Sequence, residues 1–161
     1  MDTIQHRIEA FVKLGQFLSQ FSRNAIEKKK DVLFNDLFFD GFKHQLKVAQ
    51  ENNSWFVKDS VLFAIESWCK ALTEENLNKW ITSEENLAKN EAKTIAVIMA
   101  GNIPLVGFHD FLAVLISGHA IVVKQSSNDK HLLPFLAKYL EYVHEPLKGK
   151  MVFTEEKLEN F

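Results

Sequence analysis

Thr94-Ile95-Ala96-Val97-Ile98-Met99 is an unbroken apolar run with β-branched residues, and the turn Ala100-Gly101-Asn102-Ile103-Pro104 follows it directly. A short run of this kind reads as a strand buried on both faces of a parallel sheet. Leu105 to Ser117 then has the length of a helix, Gly118 supplies its stop, and Ala120-Ile121-Val122-Val123 reads as a second buried strand. Ser126, Ser127, Asn128 and Asp129 offer N-caps for a helix from about Lys130 to Val143, and after Pro146 a third strand falls at Met151-Val152-Phe153. This β-α-β-α-β order predicts an α/β fold: a parallel sheet with right-handed crossovers and helices packed on its faces.

Upstream of the sheet the pattern is helical throughout, which divides the chain into a helical N-terminal region, residues 1–92, and the sheet region, 93–161. Ile4, Ile8, Phe11, Gly15 and Leu18 step by three and four, predicting a helix from about Thr3 to Phe21 in which Gly15 lets a neighbour approach closely. After the lysine-rich stretch from Arg23 to Asp31, helical spacing resumes through Phe34, Phe38, Phe42, Leu46 and Ala49, with Gly41 expected to weaken or divide that helix. Asp59 is the expected N-cap of a third helix running to Leu72, and Thr73-Glu74-Glu75-Asn76 opens a short fourth one carrying Leu77, Trp80 and Ile81.

Composition narrows the function. A length of 161 residues with 47% hydrophobic and 25% charged residues suits one ordinary domain. A formal charge of -2 gives no positive field for a phosphate backbone, so nucleic-acid binding is not expected. The apolar region from Ile95 to Val123 is broken by Gly101, Asn102, Pro104, His109, Asp110, Gly118 and His119, so no membrane span is expected. Cys69 is the single cysteine, which rules out an internal disulfide, and the start lacks a basic head followed by an apolar run; the chain reads as cytoplasmic. The 14 phenylalanines, against 2 tyrosines, indicate a core of large apolar rings or a hydrophobic ligand.

In a parallel sheet, ligands bind at the carboxyl ends of the strands. Two polar clusters fall there, Gly101-Asn102-Ile103-Pro104 and Lys124-Gln125-Ser126-Ser127. Neither G-x-G-x-x-G nor G-x-x-x-x-G-K-[ST] occurs, so the usual dinucleotide fingerprint and the P-loop are both absent.

Ala100-Gly101-Asn102-Ile103-Pro104, the helix closing at Ser117-Gly118-His119, and Val122-Val123-Lys124-Gln125-Ser126-Ser127 together resemble the aldehyde dehydrogenase superfamily, in its LuxC-type acyl-CoA reductase branch. Asn102, Pro104, Gly118, Lys124 and Ser126 hold matching positions, and Gly101 stands where the wider superfamily has Trp. The resemblance implies that residues 93–161 form the first part of an aldehyde-dehydrogenase-like, Rossmann-like nucleotide-binding domain. It implies reduction of a fatty acyl-CoA to an aldehyde by NADPH through a thioester on a cysteine. In that chemistry Asn102 would donate to the oxyanion; its alternative role is a turn residue capping the next helix. Lys124 would bind the adenosine ribose or its 2′-phosphate, with Ser126, Ser127, Gly101 and Ile103 completing the cofactor contact; the alternative for Lys124 is an ordinary solvated lysine. Ser127 replaces the Glu common in NAD-preferring relatives, which leans the choice toward NADPH, the reduced form of NADP.

The family's nucleophile lies well downstream of this segment, whereas Cys69 lies upstream on an apolar helical stripe and reads as a packing residue. The chain is therefore expected to be the amino-terminal part of a longer enzyme and inactive alone. His109-Asp110 reads as the polar edge of a helix, since adjacent helical side chains point about 100° apart. The 6 histidines show no ligand spacing, so no metal is expected. Lys28-Lys29-Lys30 reads as a solvated face, and Asn52-Asn53-Ser54 as a chance sequon. Phe34, Phe38, Phe39 and Phe42 are open to three readings: core packing, an acyl-chain groove, or contact with another copy or an acyl-transfer partner protein. From that segment and the missing nucleophile comes the alternative function, a noncatalytic helical protein-interaction module.

Overall fold

A computed structural model describes residues 2–82 and 91–159; most of the charged stretch between the two halves lies outside them. Thr3 caps the first helix, α1 (Ile4–Leu18), by accepting from the His6 amide, and the helix stops at Ser19, earlier than the expected Phe21. Residues 19–34 are turns and bends, so the first half is not helical throughout. In this connector Phe21 pairs with Ile26 as an isolated antiparallel bridge, and Gln20, Lys29 and Asn35 exchange side-chain and backbone hydrogen bonds.

The second helix, α2 (Asn35–Asn52), runs unbroken through Gly41. Gly41 is there because a Cβ would sit 2.9 Å from the Phe135 ring: it admits a neighbour and does not divide the helix. The third helix, α3 (Lys58–Ala71), is preceded by Val57 as its cap residue, and Asp59 sits inside its first turn, where its charge faces the positive end of the helix dipole. The fourth, α4 (Glu74–Thr82), begins behind Thr73, whose hydroxyl accepts from the Asn76 amide.

The sheet has three parallel strands in the order β1 (Thr94–Ile98), β2 (Ala120–Lys124), β3 (Met151–Thr154). Between them lie α5 (Phe108–Ile116) and α6 (Leu132–Val143). Both helices start later than expected. Leu105 adopts a left-handed backbone, φ 58°, so residues 100–107 form a loop. Of the side chains expected to cap α6, the Ser126 hydroxyl accepts from the Asn128 amide and the Asp129 carboxylate from the Leu105 amide, and His131 precedes the helix without a side-chain cap bond. Gly118 does stop α5, at φ 90°.

Consecutive strand order with right-handed crossovers places α5 and α6 on one face of the sheet. The expectation of strands buried on both faces fails for this reason. Ile121 and Val123 on the covered face are fully buried, whereas Ile98 and Val152, on the other, are 78% and 50% exposed.

The helical region covers the helix layer. Phe11 of α1 meets Phe108 and Phe111 of α5 edge-on, with centroids 6.4 and 6.5 Å away. Phe17, one turn and a half further on, stacks on Tyr139 of α6 at 4.5 Å and touches Phe42 of α2 at 5.6 Å. Phe38, Phe39 and Phe42 are buried in this core, so they line no surface groove; Phe34 stays 39% exposed in a left-handed conformation. Tyr139 donates to the Leu33 carbonyl at 2.9 Å, and burial pushes its hydroxyl up to about 12, which keeps it a neutral donor. At the far end, Asp2 takes His144 at 2.9 Å and Lys150 at 3.0 Å, tying the amino terminus to the start of β3. Burial opposes ionisation of Asp2, but the two bonds together hold its carboxyl below the usual range.

At Gly15, α1 and the end of α3 approach closely: a Cβ there would lie 2.6 Å from the Leu72 carbonyl oxygen and 2.9 Å from its Cβ. Backbone on one side and helix on the other leave little room to yield. Gly15→Ala should therefore destabilise the chain by about 1–3 kcal/mol despite its better helix propensity. Urea unfolding followed by circular dichroism checks this; equal or greater stability would show that the two segments separate easily.

Candidate functional site

The two polar turns lie at the same edge of the sheet because β1 and β2 are parallel neighbours, with Ile98 opposite Lys124. Each strand hands its chain to a turn at its carboxyl end: residues 99–107 after β1, and 125–131 after β2. Gln125 continues the ladder by donating to the Thr154 carbonyl at 2.8 Å, and Met99 does so to the Lys124 carbonyl at 3.0 Å. Both turns therefore start from rigid backbone.

Three contacts lock the turns together. Gly101 packs against Ser126 so closely that a Cβ would fall 2.7 Å from the serine Cβ, which is why this position tolerates no side chain. Asp129 accepts from the Leu105 amide at 3.2 Å, holding the left-handed residue of the first turn from within the second. The third contact comes from the helical region. Asn53, just past α2, is 7% exposed and its amide donates to both the Gly101 carbonyl at 3.3 Å and the Asn128 carbonyl at 3.0 Å. Its own oxygen accepts from the Trp55 amide at 3.0 Å.

Two cavities flank this junction. One, about 490 Å³, is bordered by Asn53, Trp55, Gly101, Asn102 and Asn128. The other, about 340 Å³, is bordered by Met99, Lys124, Ser126, Ser127 and Glu155. Asn102 and Lys124 thus share an edge but face separate cavities, with the Gly101–Ser126 contact between them. Asn102 is exposed, and α5 has no side-chain cap bond, so Asn102 does not cap it. Ile103 is 54% exposed at the tip of the first turn. Lys124 is half-buried, and among the described residues its amine donates to the Gln125 carbonyl at 3.3 Å and meets no carboxylate. Ser126 accepts from the Asn128 amide at 3.2 Å, and Ser127 is exposed.

A family model described as acyl-CoA reductase (LuxC) matches residues 12–152, most of the chain. The chain belongs to that family. No curated protein and no solved structure gave a match. In this acyl-CoA reductase family chain, Asn53, Asp129 and Glu155 are the site-edge residues that sequence reasoning missed. Asn53 hid inside a sequon, Asp129 among candidate helix caps, and Glu155 beyond the third strand; only that last position, directly after a parallel strand, carried a usable signal.

Other sequence candidates sit elsewhere. Cys69 is half-buried against the core, and desolvation raises its thiol above the ordinary range, the reverse of an activated nucleophile. His109 and Asp110 are about two-thirds exposed and 4.0 Å apart, with His109 against the Trp80 ring at 5.8 Å. Lys28 pairs with Asp36, and Lys29 bonds Ser19. Among the described residues no three His, Cys, Asp or Glu side chains cluster to hold a metal, and no helix is long and apolar enough to cross a membrane.

Burial pushes the Asp129 carboxyl up to about 6, only partly offset by the Leu105 amide; its other oxygen is buried without a partner among the described residues. The folded chain therefore binds this proton more tightly than the unfolded one. The resulting stability is complete below the unfolded carboxylate range, near pH 4, and is lost as pH rises through about 6. Asp129→Asn keeps an acceptor for Leu105 without the charge. It should stabilise the chain at pH 8 by about 2 kcal/mol relative to wild type, with the gap closing toward pH 4. Urea midpoints at the two pH values decide it; a gap independent of pH would remove the titration from the account.

Proposed function

We propose that this chain supplies the oxyanion donor and the adenosine-side cofactor contacts of a fatty acyl-CoA reductase that forms aldehydes with NADPH. Family membership supports an acyl-CoA-reductase-related function. The observation that carries the finer reading is the joining of the Asn102 and Lys124 turns at one carboxyl edge through Asn53 and Gly101. Residues 93–161 would then be the first part of an aldehyde-dehydrogenase-like nucleotide-binding domain, with 1–92 as its helical support.

The residues at this edge fit the cofactor. Lys124 offers a cation that pairs with no carboxylate among the described residues, and Ser126 and Ser127 offer hydroxyls to the same cavity. Lys124 would take the 2′-phosphate, and backbone at Gly101 and Ile103 would lie along the path between the two cavities. Bound NADPH supplies the hydride that converts the acyl group to an aldehyde.

Asn102, in the neighbouring cavity, would meet the thioester carbonyl. When a cysteine thiolate attacks that carbon, negative charge gathers on the oxygen, the carbon–sulfur bond to CoA breaks, and CoA leaves as a thiolate. An amide donor already aimed at the oxygen can lower such a barrier by roughly 3 kcal/mol. Asn102 is suited to this because its loop is held at Gly101 and Leu105 by partners outside the loop. Cys69 is not the nucleophile in this reading, so the thiolate comes from outside these residues. Such a thiolate stays reduced in the cytoplasm, where the reading places the reaction.

The chain should bind NADPH, and Lys124→Ala should weaken it by about tenfold or more while changing NADH much less, since one charge-assisted contact is worth roughly 1.5–3 kcal/mol. Calorimetric titration with both nucleotides measures this; equal losses would make Lys124 structural. Mixed with a fatty acyl-CoA and NADPH, the chain should oxidise no cofactor. Oxidation that disappears in Cys69→Ser would reassign the nucleophile. In an assembly that does turn over, Asn102→Ala should cut kcat by about a hundredfold and spare NADPH affinity, as expected of a donor used when the oxyanion forms.

A further inference from the structure

The cavity that holds Lys124, Ser126 and Ser127 also holds a carboxylate. Glu155 reaches it from the residue directly after β3, although Ser127 has removed the acidic side chain expected after β2. Glu155 is not alone: its Oε1 lies 3.0 Å from Nζ of Lys130, which arrives from the turn leading into α6 and is not part of the cavity lining. We propose that Glu155, masked by Lys130, sets the choice between NADPH and NADH at this edge. The proposal rests on the cofactor reading above and adds to it a determinant on a different strand.

The charge balance gives the reason. With Lys130 in place, the Glu155 charge is cancelled and Lys124 leaves the cavity net positive, which favours a 2′-phosphate. With Lys130 removed, Glu155 cancels Lys124. The carboxylate is then free to accept from the two hydroxyls of an unphosphorylated ribose, as acidic residues at parallel strand ends do, and it repels a phosphate at the same place. Both side chains are partly exposed, 37% for Lys130 and 53% for Glu155, so salt will screen the effect and low ionic strength will display it. Neither supports the core, and removal of either leaves the backbone of its strand or turn intact.

The test titrates NADPH and NADH separately into the full chain at low ionic strength, for wild type, Lys130→Ala, Glu155→Gln and the double variant, with circular dichroism confirming the fold of each. Lys130→Ala should raise the Kd for NADPH by about tenfold and lower that for NADH by about twofold or more. Glu155→Gln should tighten NADPH several-fold. The double variant should return NADPH to within about twofold of wild type, because the only role given to Lys130 is to mask Glu155. A double variant as weak as Lys130→Ala would show that Lys130 touches the phosphate itself, and would overturn the proposal. So would an NADPH to NADH ratio unmoved by either single change while both nucleotides still bind. Failure of wild type to bind either nucleotide would instead overturn the cofactor reading, and this inference with it.

Discussion

The burial of α1 holds this molecule together. A sheet of three parallel strands with both crossover helices on one face has a thin core of its own, and those helices also carry apolar rings, Phe108, Phe111 and Tyr139, that meet α1. Phe11 closes that surface over α5 through Phe108 and Phe111, and Phe17 closes it over α6 through Tyr139. The same helix meets α3 closely at Gly15, against Leu72. Each of these rings removes a large apolar area from water, and together they make the helical region part of the sheet's own core.

That union matters for the site because Asn53 belongs to the helical side and the turns belong to the sheet. An amide that is nearly fully buried gains from two carbonyl acceptors and would be costly without them. The junction is therefore specific: α2 must end where it does, against both turns, or three polar groups lose their partners. Asp129 works in the same way from inside the second turn, at the cost of a carboxylate that resists ionisation. Loops tied at several points by groups outside themselves are suited to hold an oxyanion donor or a phosphate contact in one place, which is what preorganisation requires.

The edge also separates charge from the uncharged donor. Lys124 and Glu155 share one cavity, while the amides of Asn102, Asn53 and Asn128 border the other. The Gly101–Ser126 contact is the partition between these two environments, one carrying charged side chains and the other uncharged amides. Only a glycine allows the partition to be that thin.

The sequence by itself determined the order of elements, the parallel sheet, the two polar turns at its edge and the family, because each rests on local pattern: β-branched apolar runs, helical spacing, a glycine stop at Gly118, and a cluster of matching residues from Gly101 to Ser127. It also pointed to the close approach at Gly15. The tertiary structure decided what local pattern cannot contain. Strand order put both crossover helices on one face, so Ile98 and Val152 are exposed although their run reads as buried. The Phe135 ring explained Gly41, and the union with Leu105 drew Asp129 away from capping α6. Asn53 and Glu155 lie far along the chain from the turns they serve, 48 residues between Asn53 and Gly101, and a contact across that distance depends on how helices and strands pack, which spacing within either segment does not record.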